Sequence, residues 1–171
     1  MVHILQEEVA VSVIVCYHVG DLIHRCLKSV RQSEHITYEI IVVSSVASID
    51  LGEDVLVIHN TEGPAYKRNL ASRFARGKYL VFLDDDVELS TYCLYHLWQF
   101  MEKDLTIGCQ FAKIFNMERR NVFDDCGSFL TWNGFLFSRA KNNQIDKGQF
   151  DEPCRILSSK SATCIISKEA F

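Results

Sequence analysis

Five apolar residues in a row, Tyr79-Leu80-Val81-Phe82-Leu83, run directly into three carboxylates, Asp84-Asp85-Asp86. An unbroken run of branched and aromatic residues fits a strand buried on both faces, as in a parallel sheet covered by helices. Ligands of such sheets gather outside the carboxyl ends of the strands, so the carboxylates stand where a ligand would be met. Side chains alternate along a strand, which predicts Asp84 and Asp86 on one side with Asp85 between them. Unit charges about 4 Å apart repel by roughly 4 kcal/mol at a surface-like dielectric, a cost that a divalent cation removes. A few hard oxygen ligands suit Mg²⁺ or Mn²⁺, whose other positions are filled by water and phosphate oxygens. The junction therefore points to a metal site, Asp84 and Asp86, serving a phosphorylated ligand. The alternative is a helix cap at Asp86 or Ser90 with the other carboxylates in solvent, and three residues alone do not decide between them.

A chain of 171 residues with 48% hydrophobic content is long enough for one well-packed domain and short for two. Its 18 basic and 22 acidic residues give a net charge of −4, which argues against an electrostatic grip on nucleic acid or an anionic membrane. The seven cysteines (Cys16, Cys26, Cys93, Cys109, Cys126, Cys154, Cys164) are odd in number, scattered and without a Cys-x-x-Cys pair. They read as reduced, mostly buried thiols rather than a disulfide framework or zinc site. The stretch Met1 to Glu8 lacks a basic region followed by an apolar one, and no run approaches the span of a bilayer. A cytoplasmic protein is expected, with peripheral association at a membrane surface left open.

Along the chain, Val9 to Cys16 predicts a strand, and Asp21 a helix N-cap before Leu22, Ile23, Cys26, Leu27 and Val30 at helical spacing. Tyr38 to Val43 and Asp54 to His59 predict two more strands, yet the ten residues between Ser44 and Glu53 leave little room for a crossover helix. Gly63-Pro64 opens a second helix with Leu70, Ala71 and Phe74 inward and Gly77 past its end. After the carboxylates, Ser90 is the expected cap of a helix to Lys103 that buries Leu94, Leu97, Trp98 and Met101. Ile107 to Ile114 predicts a strand. From Asn116 to Arg155 the pattern dissolves into Gly, Asn, Asp and aromatics, a length more typical of a binding segment or lid than of a plain loop. A last strand is expected at Ala162 to Ile166, followed by the start of a helix at Ser167.

Strands alternating with helices indicate an open α/β fold, which mostly hosts nucleotides or phosphorylated ligands. The first strand exits through Cys16-Tyr17-His18-Val19-Gly20 without a Gly-x-Gly-x-x-Gly, and no Gly-x-x-x-x-Gly-Lys-Ser/Thr occurs, so dehydrogenase and P-loop readings both fall. Four ordered segments carry a family resemblance: Val11-Ser12-Val13-Ile14-Val15-Cys16-Tyr17; Tyr38-Glu39-Ile40-Ile41-Val42-Val43; Gly63-Pro64-Ala65-Tyr66-Lys67-Arg68-Asn69-Leu70-Ala71; and Ala75-Arg76-Gly77-Lys78 running into the carboxylate-tipped strand. Together they resemble the nucleotide-sugar-binding half of family 2 glycosyltransferases with the GT-A fold. Asp125-Cys126-Gly127-Ser128 and Ser161 to Phe171 look like the middle of rhamnosyltransferase-like members.

The resemblance implies a Rossmann-like open mixed sheet flanked by helices, with residues 9–115 as the donor half and 116–171 as the start of the acceptor side. It implies a UDP- or dTDP-sugar as donor, a saccharide or lipid-linked acceptor, and no nucleic acid partner. Carried over by position, Cys16 and Tyr17 lie at the base, the stretch Ser44 to Asp50 beside base and ribose, and Arg68 and Asn69 near the base. Asp84 and Asp85 contact the donor, and Asp84 and Asp86 of the Asp-x-Asp motif meet the Mg²⁺ or Mn²⁺ that bridges the phosphates. Such an ion stabilises the charge that develops on a departing nucleoside diphosphate without proton transfer.

Three departures stand out. Where the family has an acidic pair after the second strand, this chain has Ser44-Ser45, which leaves base specificity open, with Asp50 as a candidate substitute. At the first strand's exit only the aromatic of Pro-Thr-Tyr is kept, so Tyr17 is expected to stack. The family's acceptor-activating base lies beyond the segment resembling Ser161 to Phe171, so the chain is expected to lack the C-terminal part and to be inactive alone. Such a base must come within about 3 Å of the attacking hydroxyl. Asp124, Asp125, Asp151 and Glu152 are the nearby carboxylates, each better read as a loop or capping residue, and no catalytic base is assigned. Trp132 reads as core packing ahead of sugar stacking. Lys67 and Arg68 read equally as phosphate neutralisers or as a solvated face. The rival enzyme is a phosphohydrolase of the haloacid dehalogenase type, with Asp84 as nucleophile and Asp86 as acid/base. The non-enzymatic rival is a module that binds donor without transfer.

Overall fold

The structure is a computed structural model that describes residues 8–140 and 144–171; residues 1–7, most of the stretch tested for a leader, lie outside it. Six strands form one sheet in the order β3-β2-β1-β4-β10-β5. They are β1 (Val11–Tyr17), β2 (Tyr38–Ser44), β3 (Val55–His59), β4 (Tyr79–Asp84), β5 (Cys109–Phe111) and β10 (Thr163–Ser167). β1 pairs in parallel with β2 and β4, and β2 with β3, whereas β10 runs antiparallel to both β4 and β5. The expected mixed α/β sheet flanked by helices is what forms.

The strand period of two sorts the side chains into two cores. Val11, Val13 and Val15 of β1, with Tyr79, Val81 and Leu83 of β4, pack under α1 (Leu22–Arg31) and α3 (Cys93–Lys103). Ile14, Leu80 and Phe82 face the other way, against Ala71 of α2 (Pro64–Ser72) and Ala75. Each fully buried aliphatic side chain contributes about 1.5–3 kcal/mol, so both faces must be apolar and the strands read as continuous runs. Asp84 continues the even-numbered row and so emerges on the α2 side.

The β2–β3 connection holds no helix, as its length requires. Leu51 pins it into the core, and Arg31 of α1 clamps it by donating to Asp54 Oδ2 and Oδ1 at 2.7 and 2.6 Å and to the Leu51 carbonyl at 2.6 Å.

At the amino ends of the strands, buried Ser12 donates to Glu39 Oε1 at 2.6 Å and accepts from the Gly77 amide at 2.8 Å. Arg76 adds its own amide at 2.6 Å and its Nε at 2.7 Å to the same carboxylate. A Cβ on Gly77 would stand 2.5 Å from Ser12 N, so the residue two before β4 must be glycine for the backbones to meet. Gly77 thus serves a close approach, not a helix end: α2 stops at Ser72 and Phe74 is 51% exposed rather than inward.

Other elements shift as well. α3 begins at Cys93, with Tyr92 rather than Ser90 before it, and Asp21 precedes α1 without a side-chain cap bond. Trp98 is only half-buried at the core's margin. The strand expected at 107–114 divides into short β5 and β6 (Ile114–Phe115), and the chain after Ser167 forms a turn. The stretch after Asn116 is not structureless: β6 pairs with β7 (Phe123–Asp125), and β8 (Ser128–Leu130) with β9 (Leu136–Ser138) forms a hairpin. All seven cysteines are free, three of them buried, while Cys109 and Cys154 are exposed. Among the described residues no helix is long and apolar enough to cross a membrane.

Candidate functional site

β1 has a parallel neighbour on each side, and successive connections lead first to β2 and later back to β4, so the strand order reverses at the tip of β1. Open sheets bind ligands at this switch point, outside the carboxyl ends. Register places Cys16 between Val43 and Asp84, and Tyr17 beside Ser44.

α2 supplies the cations. Lys67 is only 4% exposed; its Nζ donates to the Tyr17 carbonyl at 2.9 Å and to Ser45 Oγ at 2.5 Å. A solvated face is thereby ruled out for Lys67, since a buried ammonium persists only with such partners. Ser45 Oγ also lies 3.2 Å from His18 Nδ1, and the His18 amide donates to Asp85 Oδ2 at 3.4 Å. Arg68 Nη2 lies 3.1 Å from Asp84 Oδ1, with its guanidinium 5.9 Å from the centre of the Phe82 ring.

Burial pushes the Asp84 carboxyl above its ordinary range; Arg68 opposes this, while Asp86 and Asp85 add to it. Asp85 is raised for the same first reason, against the His18 amide and with Asp86 adding. The Cys16 thiol is also raised by burial, and its Sγ sits 3.8 Å from the Pro64 carbonyl, so it is no ready thiolate.

The expected site residues therefore separate. Cys16, Ser44, Arg68, Asp84 and Asp85 gather at the strand tips, although Ser44 spends its hydroxyl locally on Val46, accepting from its amide at 2.9 Å. Tyr17 contributes its carbonyl; its ring is 6% exposed in the core and its hydroxyl donates to the Gly20 carbonyl, which leaves no face for stacking. Asp50 lies on an exposed turn, accepting from the Gly52 amide at 3.0 Å. Asn69 faces outward from α2 into a groove shared with Ser72, Arg73, Lys168 and Phe171. β4 ends at Asp84, and Asp85 and Asp86 form a turn, so strand alternation does not reach Asp86. Asp86 is exposed, and its charge raises the pKa of both neighbours. Sequence reasoning missed Lys67 as a buried bridge and His18 as a link from β1 to Asp85.

Among the described residues no three His, Cys, Asp or Glu side chains converge into a complete metal cage. The donor set that fits is sparse: repelling carboxylates whose charged forms are held at a cost, suited to a cation that takes most of its ligands from water and phosphate.

The sequence profile of glycosyl transferase family 2 matches residues 12–164. The chain belongs to this family. A curated relative of this family 2 domain, the poly(ribitol-phosphate) beta-glucosyltransferase of Bacillus spizizenii, is 33% identical over 114 residues, which cover 56% of this chain and 18% of that protein. The mannosyltransferase PcManGT from Pyrobaculum calidifontis, solved with GDP-Man and Mn²⁺, superposes with a TM-score of 0.53 at 26% identity, covering 61% of this chain and 35% of that one. S. aureus TarS shares the fold, with a TM-score of 0.56 at 21% identity over 68% of this chain and 23% of that one. The family 2 domain thus spans well under half the length of each of these relatives.

Three of the four nominated carboxylates beyond residue 116 are engaged elsewhere. Buried Asp125 accepts from Ser159 Oγ at 2.5 Å and from the Lys160 amide at 2.8 Å, tying β7 to the approach of β10. Asp124 pairs with Lys160 and Asp151 with Lys113, while Glu152 is exposed. Trp132 is not core packing: at 98% exposed it tips the β8–β9 hairpin.

Proposed function

We propose that this domain binds a nucleotide-diphospho-sugar across the tips of β1 and β4 and serves sugar transfer from it to a saccharide or lipid-linked acceptor. The observation that carries the reading is the carboxylate turn, Asp84 to Asp86, set at the switch point beside Arg68 and the buried Lys67. Asp86, assisted by Asp85, is the residue we assign to a Mg²⁺ or Mn²⁺, which when bound would offset the charge on the leaving diphosphate. Asp84 and Arg68 hold each other at the strand tips, where the guanidinium can donate to ribose or phosphate oxygens. Lys67 fixes the Tyr17 carbonyl and the Ser45 hydroxyl, around which the base would lie. The Mn²⁺ and GDP-Man in the Pyrobaculum structure support both the donor class and the ion. The glucosyl and mannosyl relatives favour hexosyl over rhamnosyl transfer. With Asp124, Asp125 and Asp151 bonded elsewhere, the isolated domain is expected to bind donor without turning it over. A cytoplasmic location completes the proposal.

Calorimetry with UDP- and dTDP-sugars, with and without Mn²⁺, tests it. Binding should require the ion, and Asp86→Asn should weaken it about 100-fold, or about 2.7 kcal/mol. An exposed turn residue should leave the melting temperature in place. Ion-independent binding, or an Asp86→Asn protein that binds like wild type, overturns the reading.

A further inference from the structure

A second concavity lies away from the strand tips. His35, Tyr92, Tyr95, His96 and Trp98 line an open cleft of about 740 Å³. Tyr92 precedes α3, the next three lie on its first two turns, and His35 stands just before β2, at the amino end of the sheet. The Glu34 amide donates to the Thr91 carbonyl at 3.1 Å, which ties the two walls together. His35 stacks on Tyr92 at 5.8 Å and meets Tyr95 edge-on at 5.9 Å; Tyr95 in turn contacts His96 at 5.5 Å and Trp98 at 6.1 Å. His35 is also the one residue other than glycine with positive φ among the described residues, at 61°. A side chain with a Cβ keeps that conformation only where its surroundings hold it, and such strain concentrates at binding sites.

We infer that this cleft is a binding platform for a neutral saccharide chain, separate from the donor site and independent of the reading given to it. Every lining residue is a ring with a polar edge: two imidazoles, two phenols and an indole. Such rings pair an apolar face with hydrogen-bonding rims, the complement of a pyranose with its C–H face and hydroxyl edge. Among the described residues no aliphatic side chain lines the cleft, so the contact surface it offers is ring faces and their polar rims. Among the described residues no lysine or arginine lines it either, and the Glu34 carboxylate stands beside the Tyr92 hydroxyl, pushing its pKa up. Phosphate-bearing ligands and anionic lipid are therefore disfavoured. Gln99 fixes the Tyr95 hydroxyl from below, donating at 2.9 Å.

Titration of ¹⁵N-labelled protein with maltohexaose, cellohexaose and chitohexaose tests the platform. At least one should give saturable shifts at the amides of residues 34–35 and 92–99 and at the Trp98 indole. Tyr92→Ala and His96→Ala, both exposed, should each weaken that binding about fivefold, the size of one ring contact. Trp132→Ala should leave it unchanged. Absence of saturable shifts with all three sugars, shifts confined to the β8–β9 hairpin, or full affinity in both cleft variants would each overturn the inference. So would concentration-dependent dimerisation abolished by Tyr92→Ala, which would give the cleft to a second copy instead.

Discussion

The two ends of one sheet treat a carboxylate facing an arginine in opposite ways. At the amino end, Glu39 accepts from Ser12, from the Arg76 amide and from the Arg76 side chain, and despite the cost of its burial these bonds hold its carboxyl below the ordinary glutamate range. At the carboxyl end, Asp84 has one contact with Arg68 at 3.1 Å, and burial with two neighbouring carboxylates pushes it up. The first end is closed: donors and acceptors match, and a glycine lets the backbones touch. The second carries more negative charge than its own cations compensate, which is the signature of a place meant to meet something else. A carboxylate–arginine pair alone therefore says little; the count of further donors separates scaffold from site.

The closed end is where the fold should be easiest to break. Gly77→Ala puts a methyl 2.5 Å from a backbone nitrogen that cannot step aside, and a loss of about 3 kcal/mol or more is expected in urea denaturation. Glu39→Gln should follow at about 2 kcal/mol, because the amide keeps a single acceptor and turns a donor toward Arg76 or Ser12. Neither should change donor affinity per folded molecule. The Asp86→Asn change should do the reverse, sparing stability and removing ion-dependent binding. A Glu39→Gln protein as stable as wild type would erase the contrast between the two ends.

How much of this was readable beforehand follows from what burial prints into a sequence. β1, β2 and β4 lie between helices, both faces must be apolar, and Val11 to Val15, apart from Ser12, Ile40 to Val43 and Tyr79 to Leu83 show it. The lack of a crossover helix after β2 was legible from chain length alone. Lys67 was not: helical spacing marks it as polar, and only the tertiary approach of the Tyr17 carbonyl and Ser45 makes a buried ammonium tenable there. Phe74 and Trp132 fail in the opposite sense, since apolar identity does not say whether a neighbouring element exists to cover them. Strand alternation does not extend to Asp86, because β4 ends at Asp84 and the remaining two carboxylates take up a turn. The rings of the aromatic cleft were each visible, but His35 lies far from Tyr92 in sequence and only folding brings them together.

The smallest expected effect is also the sharpest test of the comparison, because pH moves the two ends in opposite directions. Glu39 is lowered in the folded state, so the stability it contributes is fully present above the ordinary glutamate range and is lost progressively as pH falls from that range through the lowered value. Asp84 and Asp85 are raised, so the folded chain takes up their protons before the unfolded chain does; the penalty of their charge applies above the raised values and is relieved as pH falls. Those same protons compete with a cation. Acidifying from neutral pH to just above the ordinary carboxylate range should therefore weaken Mn²⁺-dependent donor binding, by up to about tenfold per pH unit for one competing proton, while the melting temperature holds. Calorimetry and thermal melts across the same pH series read both at once. If binding and stability fell together, the carboxyl end would be scaffold like the amino end, and the distinction drawn from their bonding would not stand.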